Sequence, residues 1–348
     1  MEIDFLLIGQ GLAGTALAYR LKQAGKKIKI IDNPKANNSS RIAAGLFNPV
    51  TGRKMVKTWK ADLLFPMIIP FYQELEGITG RKFLTERPIY RPFLTIEEQN
   101  EWMGHSADPG FETYLEKIHQ ESQSEHLKDP FGGVMLRNSG WLNINNLLDA
   151  MSAYFKEELI LEQFDEDLLS RTDELWKYGG IEAKAIIYCN GLGSMRSKFF
   201  NYLPFAPVKG EILEVKQEFT PDYVVNRGVF RVHLKDNIHR VGSTYTKHDL
   251  EVGPTNEAKT ELLEKLIDLV RLPVGEIISH KTGIRPATRD RKPFLGKHPF
   301  EDGVYIFNGF GAKGVSLIPY FSAQMVDHLL KNKAIDFEVD IARYFNYI

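Results

Sequence analysis

Apolar residues fall into three kinds of pattern along this chain. Ile3 to Ile8, Ile28 to Ile31, Ala185 to Cys189 and Val304 to Phe307 are short, nearly continuous runs, as expected of strands buried on both faces of a parallel sheet. Between Gly210 and Gly242 the pattern changes. Glu211-Ile212-Leu213-Glu214-Val215, Gly228-Val229-Phe230-Arg231-Val232 and Arg240-Val241-Gly242 alternate apolar with polar positions, as antiparallel strands with one wet face do. Helical spacing occupies Thr15 to Ala24, Trp141 to Met151, Thr255 to Leu272 and Ile318 to Leu330. Gly25 is placed to close the first of these helices and Thr255 to cap the third. Residues 61–100 read as helical and then loop-like, 104–133 as a polar surface excursion, and Glu157 to Glu174 as a solvated acidic edge. No repeat or low-complexity linker separates these regions, so two interleaved units are expected. One is a Rossmann-like α/β unit; the other is built on a largely antiparallel sheet.

The sharpest chemical signal lies in the first thirty-five residues. A strand runs into Gly9-Gln10-Gly11-Leu12-Ala13-Gly14, a helix follows, and a second strand ends at Asp32. Gly9 permits the tight turn, Gly11 lets a pyrophosphate approach the backbone, and Gly14 lets helix and sheet pack closely. The helix N-terminus offers free N–H groups to phosphate, and Asp32 has the spacing of a carboxylate that binds an adenosine ribose. This pattern predicts a dinucleotide without separating NAD from FAD. A strand, the glycine loop Asn308-Gly309-Phe310-Gly311-Ala312-Lys313-Gly314 and a helix recur near the end of the chain. That second loop is suited to bring backbone N–H groups to another part of a long cofactor.

Composition narrows the field. The 348 residues suggest two domains, and 43% hydrophobic with 26% charged residues excludes a disordered chain. A net charge of −1 gives no global field for nucleic acid. Two local basic runs stand out. Arg53, Lys54, Lys57 and Lys60 have the spacing of one helix face, and Lys281, Arg285, Arg289, Arg291, Lys292 and Lys297 form the second. The single cysteine, Cys189, cannot form an internal disulfide and reads as a core residue. The nine histidines lack ligand spacing, so no metal is expected. No apolar run reaches membrane-spanning length and the N-terminus lacks a signal-peptide pattern, so a cytoplasmic protein is expected.

These segments together resemble the D-amino-acid oxidase and glycine oxidase family of FAD-dependent oxidoreductases. The resemblance rests on Gly9–Gly14 with Asp32, Gly140-Trp141-Leu142-Asn143, Ile187-Tyr188-Cys189-Asn190-Gly191, Val208-Lys209-Gly210-Glu211, Gly283-Ile284-Arg285-Pro286-Ala287-Thr288-Arg289-Asp290 and Gly309–Gly314. Asn48-Pro49, Val241-Gly242-Ser243-Thr244-Tyr245 and Gly311–Gly314 look most like the oxidase domain of the bifunctional tRNA wobble-uridine modification enzyme.

The resemblance implies FAD bound by Gly9, Gly11, Leu12, Ala13, Gly14, Asp32, Asn33, Ala44, Gly45, Asn48, Asn190, Gly191, Gly309, Gly311, Ala312, Lys313 and Gly314. It implies an FAD-binding domain over 1–60, 136–206 and 283–348, and a substrate domain over 61–135 and 207–282. Arg285 matches the family's carboxylate-holding arginine, a role suited to a planar two-pronged donor. Lys313 falls in the flavin-facing turn, and Arg240 falls where some members place a lysine over the flavin.

The implied chemistry is hydride loss to flavin from an amine carbon next to a carboxylate, giving an imine that hydrolyses. Oxygen or another acceptor then reoxidises the flavin. Two departures are visible. Phe230 stands where several members carry an assisting tyrosine, and no C-terminal cysteine is present to tether flavin, so FAD is expected to be non-covalent. The alternatives are a flavoenzyme acting on modified RNA, for which the two basic runs would converge into one patch, and a non-catalytic FAD-binding protein.

Overall fold

The computed structural model describes residues 1–33, 39–52, 55–105, 108–172 and 174–347. Two eight-stranded sheets organise the chain. In the first, the strand Glu2–Ile8 lies between Ile28–Asp32 and Ile181–Tyr188, parallel to both. Leu159–Leu161 extends one side, and Val304–Asn308 pairs in parallel with Ile181–Tyr188 on the other. Because these strands are parallel, Ile8, Asp32, Tyr188 and Asn308 end along one edge, where α/β sheets form their binding crevice.

The helix Leu12–Gln23 covers this sheet and packs against the helix Gly314–Lys331. Gly25, at φ +73°, turns the chain out of the first helix as its sequence position indicated. Pro319 lies inside the later helix and lacks an N–H, which leaves the Val315 carbonyl without its helical donor. The Tyr72 hydroxyl takes that place at 3.0 Å, so the helix Ala61–Thr79 is tied to it.

The second sheet runs Ile277–Arg285, Val208–Lys216, Ile238–Gly242, Val229–Lys235, Val224–Arg227, Ile89–Pro92, Gly133–Leu136, Leu115–His119. All neighbours are antiparallel except Val224–Arg227 with Ile89–Pro92. Period-two alternation gives this sheet two distinct faces. Leu213, Val215, Val225 and Val241 pack with Leu262 and Leu266 of the helix Asn256–Leu269. Ile89, Val134, Leu136, Val224 and Val232 face the large core shared with the first sheet's helices. Thr255 caps its helix as expected, accepting the Ala258 N–H.

Three local expectations fail. Within the basic segment, residues 55–60 form no helix: Val56–Lys57 pairs antiparallel with Val50–Thr51, and Arg53 and Lys54 lie outside the described residues. Trp141 belongs to a strand, Gly140–Leu142, and the helix starts only at Ile144, capped by Asn143. The segment 104–133 is more than a surface excursion, because Leu115–His119 extends the second sheet and Asp129 is fully buried, accepting from the Tyr90 hydroxyl. The acidic stretch 157–174 is an edge as expected, since Leu159–Leu161 and Ser170–Thr172 end the first sheet on its two sides; within it Glu158 pairs with Lys22, and Glu166 accepts from the Tyr188 and Ser197 hydroxyls.

Candidate active site

The glycine motifs meet at the edge where the parallel strands end. Gly9 has φ +102°, and a Cβ on it would lie 2.8 Å from Asn190 Cα, so the first loop and the Asn190-Gly191 turn are packed backbone to backbone. A Cβ on Gly14 would fall 1.9 Å from the Gly9 carbonyl oxygen, which only glycine avoids. Asp32 sits beside this loop, its carboxylate accepting the Gln10 N–H at 2.8 Å. Burial raises its pKa from the ordinary aspartate value, opposed by that hydrogen bond and by Arg41. The C-terminal loop joins from the other side. Asn308 donates to the Gly191 carbonyl at 2.8 Å and to Ser194 at 2.9 Å, and the Gly311 N–H reaches the Pro286 carbonyl at 3.2 Å.

A continuous path of contacts joins this cradle to Arg285. The Leu12 N–H donates to the Ser40 hydroxyl at 3.2 Å, and Ser40 lies in the short helix Ser39–Ile42. Ile42 in turn packs on Gly283, where an added Cβ would lie 3.0 Å from Ile42 Cβ. Gly283 and Arg285 share one face of their strand, so the arginine projects from the sheet face that abuts the nucleotide unit.

The Arg285 guanidinium lies across Gly210 of the neighbouring strand, its Nη2 only 2.1 Å from where a Cβ would stand. It donates to Ser243 Oγ at 2.7 Å and to the Thr244 carbonyl at 3.4 and 3.5 Å, with its carbon 5.6 Å from the Tyr245 ring centroid. Burial lowers its pKa from the usual arginine value, and Tyr245 opposes this. Among the described residues no carboxylate pairs with it.

Behind Gly210, on the opposite face, Lys209 and Glu211 are each 3% exposed at the side chain and form an ion pair at 2.9 Å. Glu211 also accepts from Thr255 N and Oγ1 and lies 2.8 Å from His280 Nε2. Burial raises the Glu211 pKa, but the Thr255 N–H and Lys209 outweigh it and hold the carboxyl below the ordinary glutamate value. The segment Ser243–Thr246 is laced onto this strand by the paired N–H···O bonds of Lys209 with Thr246 and by Glu211 N–H to Thr244 Oγ1.

The other singled-out residues divide. Lys313 sits in the turn Gly311–Lys313, two residues after the point where Gly311 approaches Ala287. Desolvation, then Arg291 and Lys292, pull its ammonium below the usual lysine value, although part of its surface stays open. Ala312 is exposed in that turn, and Gly314 begins the following helix within reach of Leu12. Ala13 lies in the first turn of its own helix.

Gly45, at φ +78°, is required by the Leu142 carbonyl 2.1 Å from a would-be Cβ, a packing demand against the strand Gly140–Leu142; Ala44 precedes it, half-buried. Asn48 caps its own turn through the Val50 N–H, and Asn33 donates to Gln163. Arg240 is paired with Glu214 at 2.8 Å, and their strand register sets it six residues along from Val208, the partner of Arg285. That is about 20 Å at the strand rise. The structure therefore does not bring Arg240 to Arg285. Cys189 is 5% exposed, and burial pushes its thiol well above the ordinary value.

The basic runs converge only in part. Lys60 and Lys292 both lie against the Trp59 ring, Lys292 Nζ 3.4 Å from its centroid. Asp336 and Glu338 neutralise them. Lys57 is paired with Asp62 and Lys297 with Asp302.

Ser40, Ser243, Thr244 and the Lys209–Glu211 pair were not assigned roles from sequence. Period-two alternation around Gly210 was the available signal, since it sends Lys209 and Glu211 to the face opposite the arginine. Among the described residues no group of His, Cys, Asp or Glu is arranged to hold a metal, and no helix is long and apolar enough to cross a membrane.

Comparison with known proteins agrees with this geometry. The chain is 29% identical to a glycine oxidase of Pseudomonas aeruginosa, over 92% of each. It is 23% identical to the tRNA 5-methylaminomethyl-2-thiouridine biosynthesis bifunctional protein MnmC of Leptospira borgpetersenii, over 93% of this chain and 56% of that protein. The chain thus spans little more than half the length of that relative. Its fold matches the crystal structure of glycine oxidase from Geobacillus kaustophilus with a TM-score of 0.78 at 22% identity, covering 99% and 98% of the two chains. The iminodiacetate oxidase of Chelativorans sp. BNC1 matches with a TM-score of 0.76 at 20% identity, covering 98% of each. The profile of the family described as FAD dependent oxidoreductase matches residues 4–328. A cradle closed to any side chain at Gly14, with Asp32 beside it, fits the nucleotide half of FAD, and the chain belongs to the DAO family of FAD-dependent oxidoreductases.

Proposed function

We propose that this protein oxidises a primary or secondary amine carbon next to a carboxylate, in an amino acid or an N-substituted glycine. The observation that carries this reading is Arg285. It is an arginine on the sheet face toward the nucleotide cradle, oriented by Ser243 and Thr244, with no acidic partner among the described residues. A half-buried guanidinium without a counter-ion is disposed to take an anion, and its fork matches a carboxylate.

Gly9, Gly11, Gly14 and Asp32 would hold the dinucleotide part of FAD, and Gly311–Gly314 the part nearer the substrate. The cofactor would be non-covalent. Bound FAD supplies the two-electron acceptor for the hydride lost from the amine carbon. Arg285 fixes the carboxylate and so the position of that carbon. Lys313 adds positive charge in the turn against Ala287. No side-chain base is required if the amine binds neutral, and Phe230 offers no hydroxyl to supplement Arg285.

The test is anaerobic addition of glycine, sarcosine, proline, D-amino acids and a carboxymethylamino nucleoside to the yellow holoprotein. Bleaching by a small amine, lost in Arg285→Ala with FAD retained, is the expected result. A holoprotein bleached by none of them overturns the proposal. Bleaching by the nucleoside alone would favour action on modified RNA, the reading prompted by likeness to MnmC. The neutralised lysines around Trp59 do not favour a polyanion surface.

A further inference from the structure

The proposed reaction needs only Arg285 to hold a carboxylate, yet the sheet face beside it carries another polar group. Gly242 is opposite Phe230, and Phe230 is opposite Asn226, in successive antiparallel pairs. Directly paired residues project to the same side. Val224 and Val232, two positions from Asn226 and Phe230 respectively, fix that side as the one facing the large core, and Gly242 precedes the Ser243 that binds Arg285. The Phe230 ring lies over Gly242, its Cζ 2.8 Å from where a Cβ would be. Arg285, Phe230 and Asn226 therefore follow one another across a single face.

Asn226 is partly buried, and its side-chain amide makes no hydrogen bond to any described residue. Its amide atoms are not sealed inside the protein, so they are open to a ligand on this face. Phe230, a half-buried flat ring between two polar groups, offers a floor for an apolar linker.

We infer that Asn226 is a specificity-determining residue that binds the far end of an extended substrate, an N-substituted glycine whose substituent ends in a carboxamide-type N–H and C=O pair. This rests on the reading of Arg285 as the carboxylate anchor. From Gly242 to Asn226 is two strand spacings, about 10 Å. A free amino acid, roughly one residue of ~3.5 Å in length, cannot touch both ends. An asparagine amide presents one donor group and one acceptor, so it matches a partner that offers both. Phe230, lacking the hydroxyl of the family's tyrosine, leaves the intervening ground apolar.

The experiment compares sarcosine, which has no far end, with N-(carbamoylmethyl)glycine. Both are titrated anaerobically into the holoenzyme, and both the change in flavin absorption and kcat/KM are read. Asn226→Leu and Asn226→Asp should each weaken the carbamoylmethyl compound about tenfold or more, as expected for a lost hydrogen bond. Sarcosine should stay within twofold, and FAD content should be unchanged. Equal effects on both ligands, or no effect on either, overturn the role of Asn226 while leaving Arg285 in place. If wild-type protein binds neither ligand, or Arg285→Ala still binds both, the carboxylate-anchor reading falls and this inference falls with it.

Discussion

Gly210→Ala isolates the position of the arginine from its presence. The added Cβ would stand 2.1 Å from Arg285 Nη2, 2.4 Å from Cζ and 2.5 Å from Nη1, with no backbone atom among these nearest neighbours. Ordinary contact begins near 3.4 Å, so the guanidinium must move by about 1.3 Å to restore it. The strand itself has no reason to yield, because the clash is with the end of a flexible side chain. A displacement of that size breaks the approach to Ser243 and misdirects the fork, and a misplacement near 1 Å costs on the order of 100-fold in rate. The expected variant therefore folds, keeps its FAD, melts within a few degrees of wild type and loses about 100-fold in kcat/KM for its amine. Steady-state kinetics beside flavin-to-protein ratio and a melting curve read all three. Unchanged kcat/KM would refute the reasoning, since it would mean that the guanidinium's location does not matter; loss of FAD would refute it differently, by showing that the clash is relayed into the cradle.

Other substitutions probe different parts. Gly14→Ala meets the Gly9 carbonyl oxygen at 1.9 Å, a backbone atom that cannot step aside, so the protein should purify with little or no bound FAD by visible absorption. Arg285→Lys keeps a positive charge but loses the two-pronged geometry, and should raise KM at least tenfold in steady-state assays while FAD stays bound. Glu211 titrates below its ordinary value of 4.5 when folded, so its stabilising contribution is present above that pH and fades as pH falls through the folded value. Melting temperature should drop on acidification below about pH 4.5, and Glu211→Gln should lower it at neutral pH while flattening that fall. The Cys189 thiol is buried and held protonated, so native protein should resist a thiol reagent until denaturant is added.

The elements that sequence makes legible are those with an unambiguous period. Buried runs such as Ile3–Ile8 and alternating runs such as Glu211–Val215 contain enough residues to establish a face, and both sheets were foreseeable from them. The pairing of Val50–Thr51 with Val56–Lys57 was not, because strands two residues long are too short to establish a period. At the site, Gly14 was readable because its reason is local, the Gly9 carbonyl five residues back. Arg285 was readable only through its motif. Arg240 was likewise read only through its motif position, and the structure adds that hydrogen-bond register pairs it with Glu214. Ser40 and Ser243 act through contacts between distant segments, and a single chain read end to end contains no term for those.

The strand Ile277–Arg285 is hydrogen-bonded along its length to Val208–Lys216, and on leaving the sheet its next residues reach Gly311 of the cofactor-side loop. The arginine is thus one residue along the backbone from the Pro286 carbonyl that accepts the Gly311 N–H. Such a site behaves as a fixed gauge. With Arg285 as the proposed carboxylate anchor, lobe closure would have little purchase on how far it stands from the cofactor, and new substrates would be reached by exchanging side chains across the sheet face, at positions such as 226 and 230, while the gauge stays as it is.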